Sequence, residues 1–146
     1  MNDMVWRWWV APAGVVGEML MSNEDQRRPE ELLPLTPAVF HILLALADGE
    51  KHGYAIMQEI GERTGGTMRM GPGTLYGSLQ RMLKDGLIVE ELKTGSLTAR
   101  DERRRYYRLA GFGQRVLQAE ARRLQALVRV AQNKQVLPGF GTTGGA

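Results

Sequence analysis

Apolar residues fall into three short runs with helical spacing, then a stretch of alternation, then one long amphipathic run. In the first run Val39, Ile42, Leu43, Leu46 and Ala47 recur at steps of three and four, which predicts a helix with one apolar face. Thr36-Pro37 suits its start: a threonine hydroxyl accepts from the free amides of a first turn, and proline is preformed for the first helical position. Asp48-Gly49 stops it. A second helix begins at His52-Gly53-Tyr54, turns Ile56, Met57 and Ile60 inward, and ends at Thr64-Gly65-Gly66 through a left-handed cap. A third runs from Gly71-Pro72-Gly73-Thr74 to Asp85-Gly86, with Leu75, Leu79, Met82 and Leu83 on one face.

The alternating stretch predicts a two-stranded ribbon. Leu87, Ile88 and Val89 begin one strand, residues 94–102 supply a turn with Gly95 and Ser96, and residues 103–109 return. On the returning strand Arg105, Tyr107 and Leu109 share one face, and Arg104, Tyr106 and Arg108 the other. Two strands alone are marginal, so the ribbon is expected to pack on the helices. Arg100, Arg103, Arg104, Arg105 and Arg108 are opposed locally only by Asp101 and Glu102. Their planar forks suit phosphate. They could equally pair with Glu90 and Glu91 across the ribbon, and one face can pair while the tip binds.

The long run, residues 114–133, contains no proline or glycine. Leu117, Ala121, Leu124, Val128 and Ala131 follow a heptad seam, and Val116, Leu127 and Val130 add a second stripe. A helix of one small domain has little of its own to cover both stripes. A homodimer interface is the economical reading, with packing on the three-helix core as the alternative. Residues 135–146, rich in glycine, read as a disordered tail. At the other end, residues 1–34 read as a flexible arm. They hold Trp6, Trp8 and Trp9, the breaker Ala11-Pro12-Ala13-Gly14 and a polar stretch from Ser22 to Glu31. Disorder, or translation from Met19 or Met21, ranks ahead of a tryptophan contact with a partner subunit or ligand. Secretion ranks last, because Asp3 and Arg7 spoil a signal peptide.

Length and composition narrow the function. The 146 residues suit one core. No cysteine and only two histidines, His41 and His52, exclude thiolate chemistry and make a metal centre improbable. No apolar run approaches the roughly 18 to 20 residues that span a bilayer. Residues 1–99 carry nine basic and thirteen acidic side chains, a net −4, whereas residues 100–146 carry ten and three, a net +7. Such a concentrated positive field attracts polyanions, nucleic acid first among them. The third helix adds shape to this charge. Gly73, Gly77, Arg81 and Lys84 lie opposite its apolar stripe, Thr74 and Gln80 border them, and Tyr76 sits on the flank. Low bulk at one end and donors at the other suit a major groove. Gly71-x-Gly73 is no nucleotide loop, since no strand precedes it and no Lys-Ser/Thr follows. Glu59 and Glu62 read as a solvated face and His41 as structural.

Three helices followed by a basic ribbon is the order of a winged helix-turn-helix. Here the chain resembles the PadR family of transcriptional regulators. The resemblance rests on Leu35-Thr36-Pro37 with Ile42-Leu43, His52-Gly53-Tyr54, Gly73-Thr74-Leu75-Tyr76, Leu83 with Asp85-Gly86-Leu87, and Arg105-Tyr106-Tyr107-Arg108-Leu109. It spans about residues 35–115 and is similar to the small subfamily whose C-terminal part is a single helix. It implies a dimeric DNA-binding repressor whose third helix reads the major groove while the wing touches backbone. Thr74 and Tyr76 then stand near phosphate. Two departures stand out. Gly77 occupies a position where the family commonly has proline. Leu109 is followed by Ala110-Gly111-Phe112-Gly113 rather than by a capping threonine, which leaves the start of the last helix without a side-chain cap.

The expected fold is mainly α with a small β-hairpin: a winged helix DNA-binding domain over 35–109 and a C-terminal dimerisation helix over 110–134. The expected function is a homodimeric, cytoplasmic regulator, a repressor on a palindromic operator in double-stranded DNA. A small hydrophobic or aromatic effector could release it. The residues expected at DNA are Gly73, Thr74, Tyr76, Gly77, Gln80, Arg81, Lys84, Arg103, Arg104 and Arg105. Those expected at the dimer interface are Leu117, Ala121, Leu124, Val128 and Ala131. No cofactor, metal, membrane or enzymatic role is expected. The alternative is a winged-helix module that binds protein without specific DNA.

Overall fold

The structure is a computed structural model, which describes residues 27–93 and 104–139. A 3-10 turn, Pro29–Leu32, leads into α1 (Pro37–Ala45), β1 (Lys51–His52), α2 (Gly53–Arg63), α3 (Pro72–Lys84), β2 (Ile88–Lys93), β3 (Arg104–Leu109) and α4 (Gly111–Asn133). The readings made for residues 1–26, the three tryptophans among them, lie outside the described residues, as do Arg100, Arg103 and residues 140–146.

Local chemistry accounts for the helix boundaries. The Thr36 hydroxyl accepts from the Val39 amide at 3.3 Å, capping α1. The His52 imidazole does the same for α2, Nδ1 accepting from the Ala55 amide at 3.2 Å. Gly65 and Gly66 take left-handed backbone angles, and the Gly66 amide reaches back to the Gly61 carbonyl at 2.8 Å. At the end of α3 Gly86 is left-handed, and the Leu87 amide closes on Met82 at 2.9 Å.

The ribbon gains a third strand that alternation did not reveal. β3 lies between β1 and β2, antiparallel to both, with Lys51 opposite Tyr107, His52 opposite Tyr106, and Ile88 opposite Leu109. Two residues are too few to show a period of two. The central position of β3 buries Tyr107, which is 1% exposed. That burial, reinforced by Glu90, lifts its phenol above the ordinary range. One core joins Ile42 and Leu43 of α1, Ile56 and Ile60 of α2, Leu75, Leu79 and Met82 of α3, and Val116 of α4.

The long helix starts earlier than a search for caps suggests. It begins at Gly111, and Ala110 provides no side-chain cap. Tertiary packing takes that role. Phe112 is buried, and the Ala110 amide donates to the Leu87 carbonyl at 3.0 Å. Gly113 is pressed so closely on Leu87 that an added Cβ would stand 1.8 Å from the Leu87 carbonyl oxygen.

Residues 27–34, placed in the arm by their polarity, lie against the fold, with Arg27, Pro29, Leu32 and Leu33 half-buried and the others exposed. Leu32 and Leu33 rest on the core, and the 3-10 turn lies along α4. The turn is followed by a buried carboxylate. Glu120, 1% exposed, accepts the Leu35 amide at 2.5 Å and pairs with Arg123. Burial pushes its pKa up, but the Arg123 and Leu35 hydrogen bonds outweigh that and hold the carboxyl below the usual range.

Three substitutions have expected effects on stability. Gly113→Ala is expected to destabilise by about 1–3 kcal/mol or more in urea unfolding. Gly77→Ala on α3, where a Cβ meets nothing within 4 Å, is expected to stabilise by up to about 1 kcal/mol. Because the folded Glu120 pKa is depressed, its contribution is present above the ordinary glutamate pKa of about 4.3 and is lost as pH falls through the lower folded value. Glu120→Gln should therefore cost about 1–3 kcal/mol near neutral pH, and the gap to wild type should close in acid unfolding curves.

Candidate nucleic-acid interface

The residues expected on the outer face of α3 all lie there. Gly73, Thr74, Tyr76, Gly77, Gln80, Arg81 and Lys84 are exposed, whereas Leu75, Ser78, Leu79 and Met82 are buried. Gly73 and Gly77 have open space where a Cβ would stand, so the N-terminal half of the face is low. A duplex backbone can approach closely there. Arg81 and Lys84 supply donors in the last turn. Gly77 leaves α3 continuous from Pro72 to Lys84.

Tyr76 is less free than a helical wheel suggests. Its ring lies against Gly53, where an added Cβ would meet the tyrosine hydroxyl at 2.7 Å. The glycine of His52-Gly53-Tyr54 thus lets the N-terminal parts of α2 and α3 nest, while Tyr76 stays 44% exposed. From there an aromatic path leads to the wing. The His52 ring stacks on Tyr54 at 6.4 Å and meets Tyr106 edge-on at 5.7 Å. The Lys93 ammonium lies 5.2 Å from the Tyr106 ring centroid, and Arg104 is the register partner of Lys93. Tyr54, 65% exposed, joins the surface beside α3. Sequence reasoning passed over Tyr54, His52, Tyr106 and Lys93 as members of this surface. The β1–β3 register brings His52 to Tyr106, and the β2–β3 register adds Lys93.

The wing divides its charges. Arg105 stands 3.9 Å from Glu90, the cross-ribbon pair anticipated from sequence. Lys93 pairs with Glu50, whose hydrogen bond holds the ammonium above the ordinary lysine range. Arg104 is exposed and has no ion-pair partner among the described residues. Arg108 is drawn elsewhere. It lines a cleft of about 580 Å³ with Leu46, Leu109, Leu117, Gln114 and Gln118, between β3 and α4. His41 serves structure: its carbonyl and Nδ1 both face the Arg63 guanidinium, at 3.2 and 3.3 Å.

The heptad seam of α4 is divided as well. Leu117, expected at its first interface position, is 7% exposed and belongs to the protomer's own core with Val116, because the N-terminal part of α4 lies over α1. Ala121 is exposed, and Leu124, Val128 and Ala131 are half-buried. The second stripe is the more open one, with Leu127 at 54% and Val130 at 48%, followed by Val136 and Leu137.

Comparison with known proteins agrees with this geometry. Residues 42–119 match the transcriptional regulator PadR-like family. A transcriptional regulator of Mycobacterium tuberculosis is 39% identical over 105 residues, covering 72% of this chain and 87% of its own. A PadR-like regulator of Bacillus cereus superposes with a TM-score of 0.57 at 25% identity, over 69% of this chain and 91% of that one. A PadR family regulator of Clostridium difficile shares the fold with a TM-score of 0.58 at 23% identity, over 68% of this chain and 99% of that one. With the helix order, the wing and more than half of the chain in agreement, the protein belongs to the PadR-like family of transcriptional regulators.

Proposed function

We propose that the protein acts as a homodimeric repressor on a palindromic operator, α3 of each protomer lying in a major groove and the wing beside it. The observation that carries this reading is the division of α3. Every side chain suited to a groove faces out, every apolar one faces in, and Tyr76 and His52 link that face to the wing. Leu127 and Val130, exposed on α4, are our candidate contact between two copies, and a dimer joined there would address half-sites about one helical turn apart, roughly 34 Å. Repression rests on the family resemblance. Among the described residues no helix is long and apolar enough to cross a membrane. The cleft between β3 and α4 is our candidate seat for a small hydrophobic effector, because an occupant there touches both the wing and the long helix.

Gel-shift titration on DNA upstream of the coding region tests the reading. Retention of one palindrome with affinity falling steeply in salt is expected. Lys84→Ala or Arg104→Ala should weaken all sequences alike and lower the log–log salt slope by about 1. Gln80→Ala or Arg81→Ala should instead change base preference, by about 1–3 kcal/mol at one position. Salt-insensitive binding, or no preference for any duplex, favours a protein-binding module. Leu127→Asp with Val130→Asp should sediment as a monomer and fall to half-site affinity. A dimer that survives both changes places the interface elsewhere.

A further inference from the structure

Arg27 lies outside the family-matched stretch 42–119, in residues assigned to the arm from sequence, yet it makes two contacts across the molecule. Its Nη1 donates to the carbonyl of Asp85 at 2.7 Å, and its guanidinium lies over the Phe112 ring, 4.5 Å from the centroid. Asp85 is the C-terminal cap residue of α3, and Phe112 is in the first turn of α4. Arg27 therefore bridges the end of the groove-facing helix and the start of the helix proposed to join two protomers.

The mechanics of that junction give the bridge a consequence. α3 meets α4 through the Leu87 main chain, which accepts from Ala110 and touches Gly113. The hydrogen bond and the close contact fix one point between the two helices, a pivot beside which the shared core of Leu79, Met82 and Val116 packs through non-directional contacts that set no angle by themselves. Arg27 supplies a second fixed point off that pivot. It is itself held to the long helix, because the turn Pro29–Leu32 lies along α4 and the Leu35 amide is bound by Glu120. The strap is thus fastened to α4 and bonded to the end of α3.

We propose that Arg27 is a positioning residue that fixes the angle of α3 to α4 and so sets the operator half-site spacing that the dimer accepts. The inference rests on the operator reading above. Inserting one base pair displaces a half-site by about 3.4 Å and turns it by about a tenth of a helical turn. A dimer with its reading helices clamped should not follow such a change, whereas one free to rotate at Leu87 should.

The test uses the full chain and a series of duplexes carrying the retained palindrome, with its spacer shortened or lengthened by one and two base pairs. Wild type is expected to lose about tenfold or more in affinity per base pair off the optimum, and Arg27→Ala about tenfold less, the scale of one hydrogen bond from a charged donor. Arg27→Lys, which keeps a charged donor, should restore most of the discrimination. Thermal melts confirm folded protein. Should Arg27→Ala unfold at the assay temperature, Arg27→Gln replaces it under the same criterion. A variant whose spacing profile keeps the wild-type shape, even at lower overall affinity, overturns the inference alone, as does a wild type with no spacing optimum. A wild type that retains no palindrome overturns the proposed function and this inference with it.

Discussion

The close contact between the Leu87 main chain and the first turn of α4 is the constraint on which the architecture turns. Leu87 ends the left-handed exit from α3, and Ala110 directly follows β3, so their hydrogen bond closes the base of the wing. Gly113 is needed there because any side chain would collide with the Leu87 carbonyl. Bringing the backbones together at that point lets Phe112 and Val116 reach the core and sends the rest of α4 past it. The helix begins without a capping side chain because packing supplies the order that a cap would otherwise give.

Charge is arranged around this frame so that some cations are tied into pairs, on the helices and on the wing, while those on the outer face of α3 are not. Lys51 ties the end of α1 to α2, its ammonium bonding the Ala45 carbonyl at 2.5 Å, pairing with Asp48 and standing 3.4 Å from Glu59. Arg63 pairs with the same Glu59 and holds the His41 carbonyl. Lys93 and Arg105 are opposed by Glu50 and Glu90. Exposed pairs of this kind add little stability each, but they occupy charges that would otherwise spread the positive field. Arg81 and Lys84 on α3 and Arg104 on the wing keep no ion-pair partner among the described residues. Unpaired donors therefore stand where the shape also suits a duplex.

Glu120 shows the opposite use of charge. It is buried, and both its oxygens are engaged, one by the backbone of the N-terminal segment and one by Arg123. A carboxylate so placed specifies where residues 27–35 lie, since only a correctly positioned Leu35 amide completes its hydrogen bonds. That segment carries the Arg27 contacts with it. Its polar composition conceals a part of the fold that joins the end of α3 to the start of α4.

The helices, their glycine exits, the outward face of α3 and the cross-ribbon pair of Arg105 with Glu90 were legible in the chain. Each depends on residues at short range, through a period of 3.6 or 2, a capping side chain or a left-handed glycine. Tertiary structure alone decided the third strand at Lys51–His52, the anchoring of Tyr76 on Gly53, the transfer of Leu117 from seam to core, the early start of α4 and the packed strap from Arg27. These contacts join residues far apart in sequence, 58 positions for Arg27 and Asp85, 85 for Leu35 and Glu120. Local periodicity carries no trace of such a partner, because the contact exists only after chain closure has brought the two segments together.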